Sequence, residues 1–341
     1  MKNHTGRAIY RVGRVDVVRV AQQIADDVLF PAALETDASD VVPRELLDAL
    51  AGAGLYGVAA PKEFGGLDAD FRTACAVQEA LASGCLTTAF VLMQHTGLVH
   101  RLSAGDQPEL AKKWLPPLAR GEVRAGLALG GALPKPTLRA EPDGDGWRLD
   151  GVSPFVSGWG RIDVVHAAAR ATDGEIVWLL VDAAEGPSVR VEPVALAALN
   201  ATATVRVTFD RLAVPRDRVT DKHPAGSATP PEVLRVHAAL ALGVTARCCR
   251  MLGPTPLDAE LAALRAELDQ LGPGTPAARA AAGELALRAA SALMTATGSK
   301  SLLRADHGQR LAREAMFTLV YALRPASRAA LLTRLGAPER A

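Results

Sequence analysis

Residues 143–158, Asp-Gly-Asp-Gly-Trp-Arg-Leu-Asp-Gly-Val-Ser-Pro-Phe-Val-Ser-Gly, end on an aromatic ring and a hydroxyl two positions apart. Two Asp-Gly pairs open the stretch and supply residues that tolerate a positive φ at a hairpin bend. Trp147 and Leu149 then alternate with polar neighbours, as in a half-buried strand. Pro154 biases Ser153 toward an extended backbone. The reading is a hairpin that carries Phe155 and Ser157 to the lip of a sheet. Proton transfer would need a carboxylate or an imidazole besides. Glu314 stands beside Arg310 and Arg313 on a helical pattern, where an ion pair is its ordinary role. His95 follows Gln94 in another helical stretch, where a packed imidazole is commoner than a catalytic one. Neither a Ser-His-Asp order nor a metal-spaced histidine pair stands in the chain, so no metal site is expected. Cys75, Cys85, Cys248 and Cys249 lack Cys-x-x-Cys spacing and read as reduced core thiols.

The elements that must position these residues change period along the chain. Val15, Val18, Ala21, Ile24, Ala25 and Val28 recur at helical spacing, and that helix is expected to stop at Phe30-Pro31. Pro43 opens a second helix striped by Leu46, Leu47, Leu50 and Ala51, which stops at Gly52-Ala53-Gly54. Helices are predicted over 71–83 and 87–102, then a short one over 109–114 ended by Pro116-Pro117. From Val123 the runs shorten. Segments 165–169, 176–181, 189–191 and 205–209 are apolar or alternating, separated by Gly, Pro and Asp clusters, and read as strands of a small barrel or sandwich. The β block closes at Pro215, and 224–231 reads as a linker. Helices over 232–251, 257–271, 277–297 and 307–323, with a tail helix after Pro325, have short connections that favour antiparallel neighbours. The expected fold is α+β: an N-terminal α-helical domain over 15–118, a middle small antiparallel β-barrel or sandwich over 119–223, and a C-terminal antiparallel four-helix bundle over 231–341.

Composition limits the function classes. The 341 residues carry 38 Lys+Arg against 37 Asp+Glu, so no basic stripe points to nucleic acid. Apolar content of 49% with 4% aromatics implies an interior of Ala, Leu and Val suited to close-packed helices. Residues 1–14 are charged and lack the apolar core of a signal peptide, and the runs 238–244 and 277–296 are too short or too interrupted to span a bilayer. A soluble, cytoplasmic protein without a membrane partner is expected.

An α block, a small β block and an α bundle in that order resemble the acyl-CoA dehydrogenase family of flavoproteins over 15–335. Three segments carry the resemblance. Leu55-Tyr-Gly-Val-Ala-Ala-Pro-Lys-Glu-Phe-Gly-Gly66 is similar to the family's Pro-Glu-Glu-Tyr-Gly-Gly loop. Residues 143–158 look like its Asp-Gly-Trp, Asn-Gly, Lys-x-Trp-Ile-Thr segment. Val205-x-x-x-Phe209 running into Leu212-Ala-Val-Pro215 is similar to the end of its β domain. The resemblance implies an FAD held between the β domain and the bundle, with Phe155 and Ser157 in place of the aromatic and the hydroxyl that meet the flavin ring near N5, and Val156 between them. The family's other flavin-contacting strand ends Leu-Thr-Glu-Pro; Ala128-Leu129-Gly130-Gly131 takes its place, losing the hydroxyl and the carboxylate but keeping backbone N–H groups.

The implied activity is α,β-dehydrogenation of an acyl thioester on CoA or an acyl-carrier protein, within lipid or secondary metabolism. That reaction needs a base for the α-proton. In most of the family it is a Glu after the last long helix, a position that falls here on Ala322, which cannot take a proton. Some relatives use a Glu at the start of the first bundle helix, which points to Glu232; a first-turn residue complementing the helix dipole is its other reading. The family's Arg-Lys-x-Phe-Gly arm, which reaches a neighbouring subunit's FAD pyrophosphate, is replaced by a direct joint over 248–257. Arg247 and Arg250 stand nearby, as phosphate contacts or as plain helix arginines. Thr297-Gly298-Ser299-Lys300 likewise replaces the Gly-Gly-x-Gly-Tyr loop. A homo-oligomer, or a hetero-oligomer in which this chain is a catalytically incomplete subunit, a flavin monooxygenase or oxidase on the same fold, and a flavin-free scaffold are the competing expectations.

Overall fold

The computed structural model describes residues 16–226 and 229–338; Val15 and the charged stretch before it lie outside them. The first helix, α1 (Val17–Ile24), is capped by the Asp16 carboxylate, which accepts the Val18 N–H. It does not stop at Phe30-Pro31. A π-helical turn, Ala25–Leu29, carries it into α2 (Phe30–Ala38). Pro31 thereby falls in the first turn of a renewed helix, where a missing N–H costs least, and the wider turn absorbs the change of register. Helices α3 (Arg44–Gly52), α4 (Phe71–Gly84), α5 (Leu86–Ala104) and α6 (Pro108–Ala119) complete the block. A Cβ on Gly84 would lie 2.6 Å from the Ala25 carbonyl oxygen, so only glycine lets α4 approach the π turn this closely. Helix α6 also runs past its expected end, with Pro116 and Pro117 inside it. Leu115 and Leu118 are fully buried, worth about 1.5–3 kcal/mol each, while the carbonyls left without donors belong to the exposed Lys112 and Lys113.

Strands β1 (Ala125–Ala128), β2 (Leu138–Asp143), β3 (Gly146–Val156), β4 (Val164–Ala171), β5 (Glu175–Asp182), β6 (Val189–Pro193), β7 (Val205–Val214) and β8 (Val219–Pro224) form one sheet in the order β6-β7-β3-β2-β4-β5-β8, with β1 also on β4. Pairing is antiparallel except that β1 and β2 both run parallel to β4. They share one edge of it, β1 against 164–167 and β2 against 170–171. Between them the chain leaves the edge, turns, and returns. Leu138, Leu149, Val177, Leu179, Val207 and Phe209 fill the sheet's own core.

The bundle comprises α7 (Pro231–Leu252), α8 (Pro256–Leu268), α9 (Thr275–Thr297) and α10 (His307–Val320), with α11 (Pro325–Arg334) behind. It shares its apolar core with the first helices: Leu47, Leu81 and Leu86 pack in the same cluster as Leu240, Leu285 and Leu311. The four cysteines are free and buried. No helix among the described residues is long and apolar enough to cross a membrane, and no group of three or more potential metal ligands occurs among them.

Candidate functional site

Phe155, Val156 and Ser157 lie where β3 ends. The ladder pairs Ser153 with Val207 and Val156 with Val205, so β3 carries one residue more than β7 across this stretch. Such a bulge re-aims a side chain. Val156 points into the sheet core and is fully buried, whereas the Phe155 ring is 60% exposed. Ser157 is half-buried, its Oγ 2.7 Å from Thr204 Oγ1. Thr204 Oγ1 lies 2.8 Å from Thr202 Oγ1, which donates to the Leu199 carbonyl at 2.8 Å. The turn that supplies these hydroxyls is strained: Leu199 (φ 57°) and Ala203 (φ 46°) both sit in the left-handed region without glycine's freedom, at about 1–2 kcal/mol each. All three parts of the molecule hold it. The Gly158 N–H donates to the Thr202 carbonyl at 2.6 Å, the Val42 N–H to the Ala201 carbonyl at 2.8 Å, and Arg313 of α10 reaches the Ala197 carbonyl at 3.5 Å.

Beside β3 runs β1. A Cβ on Gly126 would lie 3.1 Å from the Ser157 carbonyl oxygen, and one on Gly130 only 2.5 Å from that of Val152. Segments 126–130 and 152–157 therefore lie side by side, bringing Leu129, Gly130, Phe155, Val156 and Ser157 into one strip. Leu129–Gly131 is a turn, not the strand end expected from sequence: β1 stops at Ala128 and a single 3₁₀ turn, Gly130–Ala132, follows. It fills the gap between β1 and β2 on the edge of β4, where a Gly131 Cβ would lie 2.4 Å from the Ala169 backbone. Arg170 donates to the Gly131 carbonyl and Thr137 N–H to that of Gly130, so packing alone requires these two glycines.

At the far end of α10, Tyr321 meets Phe90 of α5 and His237 of α7 edge to face, with ring centroids 4.8 and 5.2 Å apart, and stacks on Phe317. Ala322 follows with φ 49°. Arg279, fully buried and without a carboxylate partner among the described residues, donates to the Thr318 and Tyr321 carbonyls at the helix C-terminus. Burial lowers its pKa to about 10.

The N-terminal domain model of the acyl-CoA dehydrogenases matches residues 15–122. A probable acyl-CoA dehydrogenase, fadE25, of Mycobacterium leprae is 29% identical over 220 residues, 60% of this chain and 55% of that one. A 3-sulfinopropanoyl-CoA desulfinase of Paraburkholderia xenovorans is 26% identical over 210 residues. The chain thus aligns with about half the length of these curated relatives. The fold extends further: a glutaryl-coenzyme A dehydrogenase in complex with glutaryl-CoA superposes with a TM-score of 0.77 at 17% identity, covering 99% of this chain and 98% of the other. A dibenzothiophene monooxygenase from Paenibacillus sp. A11-2 gives 0.76 at 18%, covering 94% and 97%. Residues 15–122 thus match the N-terminal domain of the acyl-CoA dehydrogenases, and the whole chain has the fold of solved members of that family.

The remaining candidates fall in telling places. Glu232 lies exposed in the first turn of α7. Glu314 is buried and structural: its Oε1 accepts from Arg310 at 2.5 Å and from the Leu86 N–H at 3.3 Å. His95 is buried as well, and its Nδ1 accepts the first N–H of β1, that of Ala125, at 3.1 Å. Its Nε2 has no partner of hydrogen-bonding geometry, although the Tyr56 and Leu118 carbonyls flank the ring; burial holds its pKa down to about 3. Arg247 and Arg250 both pair with Asp26 in the π turn and with Ser83, and Arg247 lies 4.0 Å over the Phe30 ring. They are tied within this chain. Sequence reasoning missed Thr202, Thr204 and Arg279. Thr-x-Thr before a strand is the only signal of the first two, and an arginine amid alanines on α9 the only one of the third.

Proposed function

We propose that the chain is an FAD-dependent oxidoreductase acting on an acyl thioester, of CoA or of a carrier protein, by α,β-dehydrogenation. The observation that carries this reading is the strip beside β1, where an aromatic ring turned outward by a bulge stands two residues from a half-buried hydroxyl. A flat heteroaromatic ring needs that combination, an apolar wall and one directional polar contact. The ring end of the cofactor fits these residues: Phe155 would wall it, Ser157 would hydrogen-bond its edge, and the backbone at Leu129 would flank it. The cations nearest in role to the missing arm, Arg247 and Arg250, are engaged by Asp26, so the phosphates would draw on other groups or on a second subunit. Bound flavin supplies the acceptor for the substrate's β-hydride. The chain's own part is to hold the thioester and take the α-proton. Ala322 cannot do so, and Glu232 is the carboxylate we assign to it. Pairing with a second copy or a related subunit belongs to the same reading; exposed Leu302 and Leu303 after α9 favour it.

A second reading, a flavin monooxygenase, follows from the alanine at 322, since oxygenation needs no α-proton base, and the Paenibacillus monooxygenase shows that the fold accommodates such chemistry. The absorbance spectrum of the purified chain is the first test. Anaerobic bleaching of a bound flavin by acyl-CoA thioesters, slowed by Glu232→Gln, is the expected result. A flavin that no acyl thioester bleaches, but that consumes oxygen when reduced, would favour the second reading, and a colourless protein that takes up no flavin would end both.

A further inference from the structure

The row of three hydroxyls, Ser157, Thr204 and Thr202, has a fixed direction. A carbonyl oxygen only accepts, so the Thr202 proton is spent on the Leu199 carbonyl. Thr202 can then only accept from Thr204, and Thr204, its own proton committed, can only accept from Ser157. Every proton of the row runs inward. What Ser157 presents to the outside is lone pairs. The row is not free to reverse, because its inner end is built into the strained turn between Leu199 and Ala203, which all three parts of the molecule clamp. Thr202 and Thr204 are both buried, so water does not offer them other partners.

We infer that Thr202 and Thr204 are positioning residues that lock Ser157 as a hydrogen-bond acceptor, so that the site favours reduced flavin, whose N5 bears a hydrogen, over oxidised flavin, whose N5 is itself an acceptor. The inference rests on the flavin reading given above. Donation from Ser157 to an oxidised N5 would require the hydroxyl to abandon Thr204 and leave a buried acceptor unpaired. Breaking the row at either threonine frees the Ser157 proton to turn outward.

The test measures the flavin's midpoint potential by spectroelectrochemistry, together with the affinities for oxidised and reduced flavin, in the wild type and in Thr204→Val, Thr202→Val and Ser157→Ala. Both valine variants keep the shape of the side chain. Each is expected to shift the ratio of the two affinities about tenfold toward oxidised flavin, which for a two-electron couple is about 30 mV downward. Thr202→Val is the sharper case, since it lies two hydrogen bonds from Ser157 and does not touch the cofactor. Thr204→Val leaves the Thr202–Leu199 bond intact and serves if Thr202→Val fails to fold. On a Ser157→Ala background neither valine should shift the potential further, whereas a merely structural effect would persist there. Potentials equal to wild type in a flavin-loaded protein, or undiminished shifts without Ser157, would overturn the inference while leaving the flavin site in place. Absence of flavin binding in the wild type would remove both.

Discussion

Acidification from about pH 7.5 to about pH 5.5 bears chiefly on the buried imidazoles, because exposed carboxylates titrate below that window, while Glu314, whose pKa burial raises, acts in the opposite sense. His95 and His166 are each at most 2% exposed, and among the described residues neither has a carboxylate beside it. Burial, and for His166 also the Arg101 cation, hold both pKa values down to about 3. The unfolded chain binds protons on these rings near pH 6.5 while the folded chain does not, so stability is full above that point and falls as pH falls. At one pH unit below, each imidazole costs about 1.4 kcal/mol, hence about 3 kcal/mol for the pair, against a typical total of about 5–15 kcal/mol. His237, lowered to about 3 by burial and by Arg279 and Arg324, adds a similar share, and the half-buried His307, lowered to about 4 by burial and by Arg310 and Arg247, adds a smaller one. Geometry agrees with the sign. Protonating His95 at Nδ1 would destroy the acceptor for the Ala125 N–H. His166 donates through Nε2 to Thr220, whose own proton goes to the Trp178 carbonyl, and a second proton on its ring would have to be buried. Urea unfolding curves at the two pH values measure the loss, and His166→Gln should remove about 1.4 kcal/mol of it, the share of one imidazole. Stabilities that agree within about 1 kcal/mol across the window, or a His166→Gln variant with undiminished pH dependence, would refute the reasoning.

The same unfolding assay checks the other expectations. Glu314→Ala leaves the fully buried Arg310 guanidinium without its carboxylate and should cost about 3–5 kcal/mol, whereas Glu314→Leu combined with Arg310→Met should return close to wild type. Ala322→Gly relieves a left-handed alanine and should stabilise the fold by about 0.5–1 kcal/mol; a loss would show that the Ala322 methyl packs usefully.

Helix positions were legible wherever apolar residues recur at helical spacing, as at Leu46, Leu47 and Leu50 or along α9. The errors cluster at prolines. Pro31 and Pro116-Pro117 read as stops, yet a π turn absorbs the first, and the burial of Leu115 and Leu118 outweighs the second pair. Strand β8 lies beyond the expected close of the β block at Pro215, because Val219-Thr-Asp-Lys-His-Pro224 has almost no apolar alternation; it is an edge strand, held by pairing to β5. The left-handed positions Leu199, Ala203 and Ala322 carry residues that give no sequence sign of such a backbone, so the turn that directs Ser157 was invisible. Phe155 and Ser157 were visible because the Asp-Gly turn and Pro154 fix the hairpin around them. The bulge that turns the ring outward was not, since it depends on how β7 pairs.

Helix ends usually fray first and open alone, but Arg279 makes the end of α10 an exception. Its guanidinium reaches from α9 to two carbonyls of that last turn, with Tyr321 wedged against α5 and α7. Releasing the turn would strand an enclosed cation, so the segment before Ala322 opens only with the surrounding helices. A ligand resting on that turn is therefore coupled to the cooperative opening of the whole bundle, and its occupancy and the bundle's integrity share one free energy.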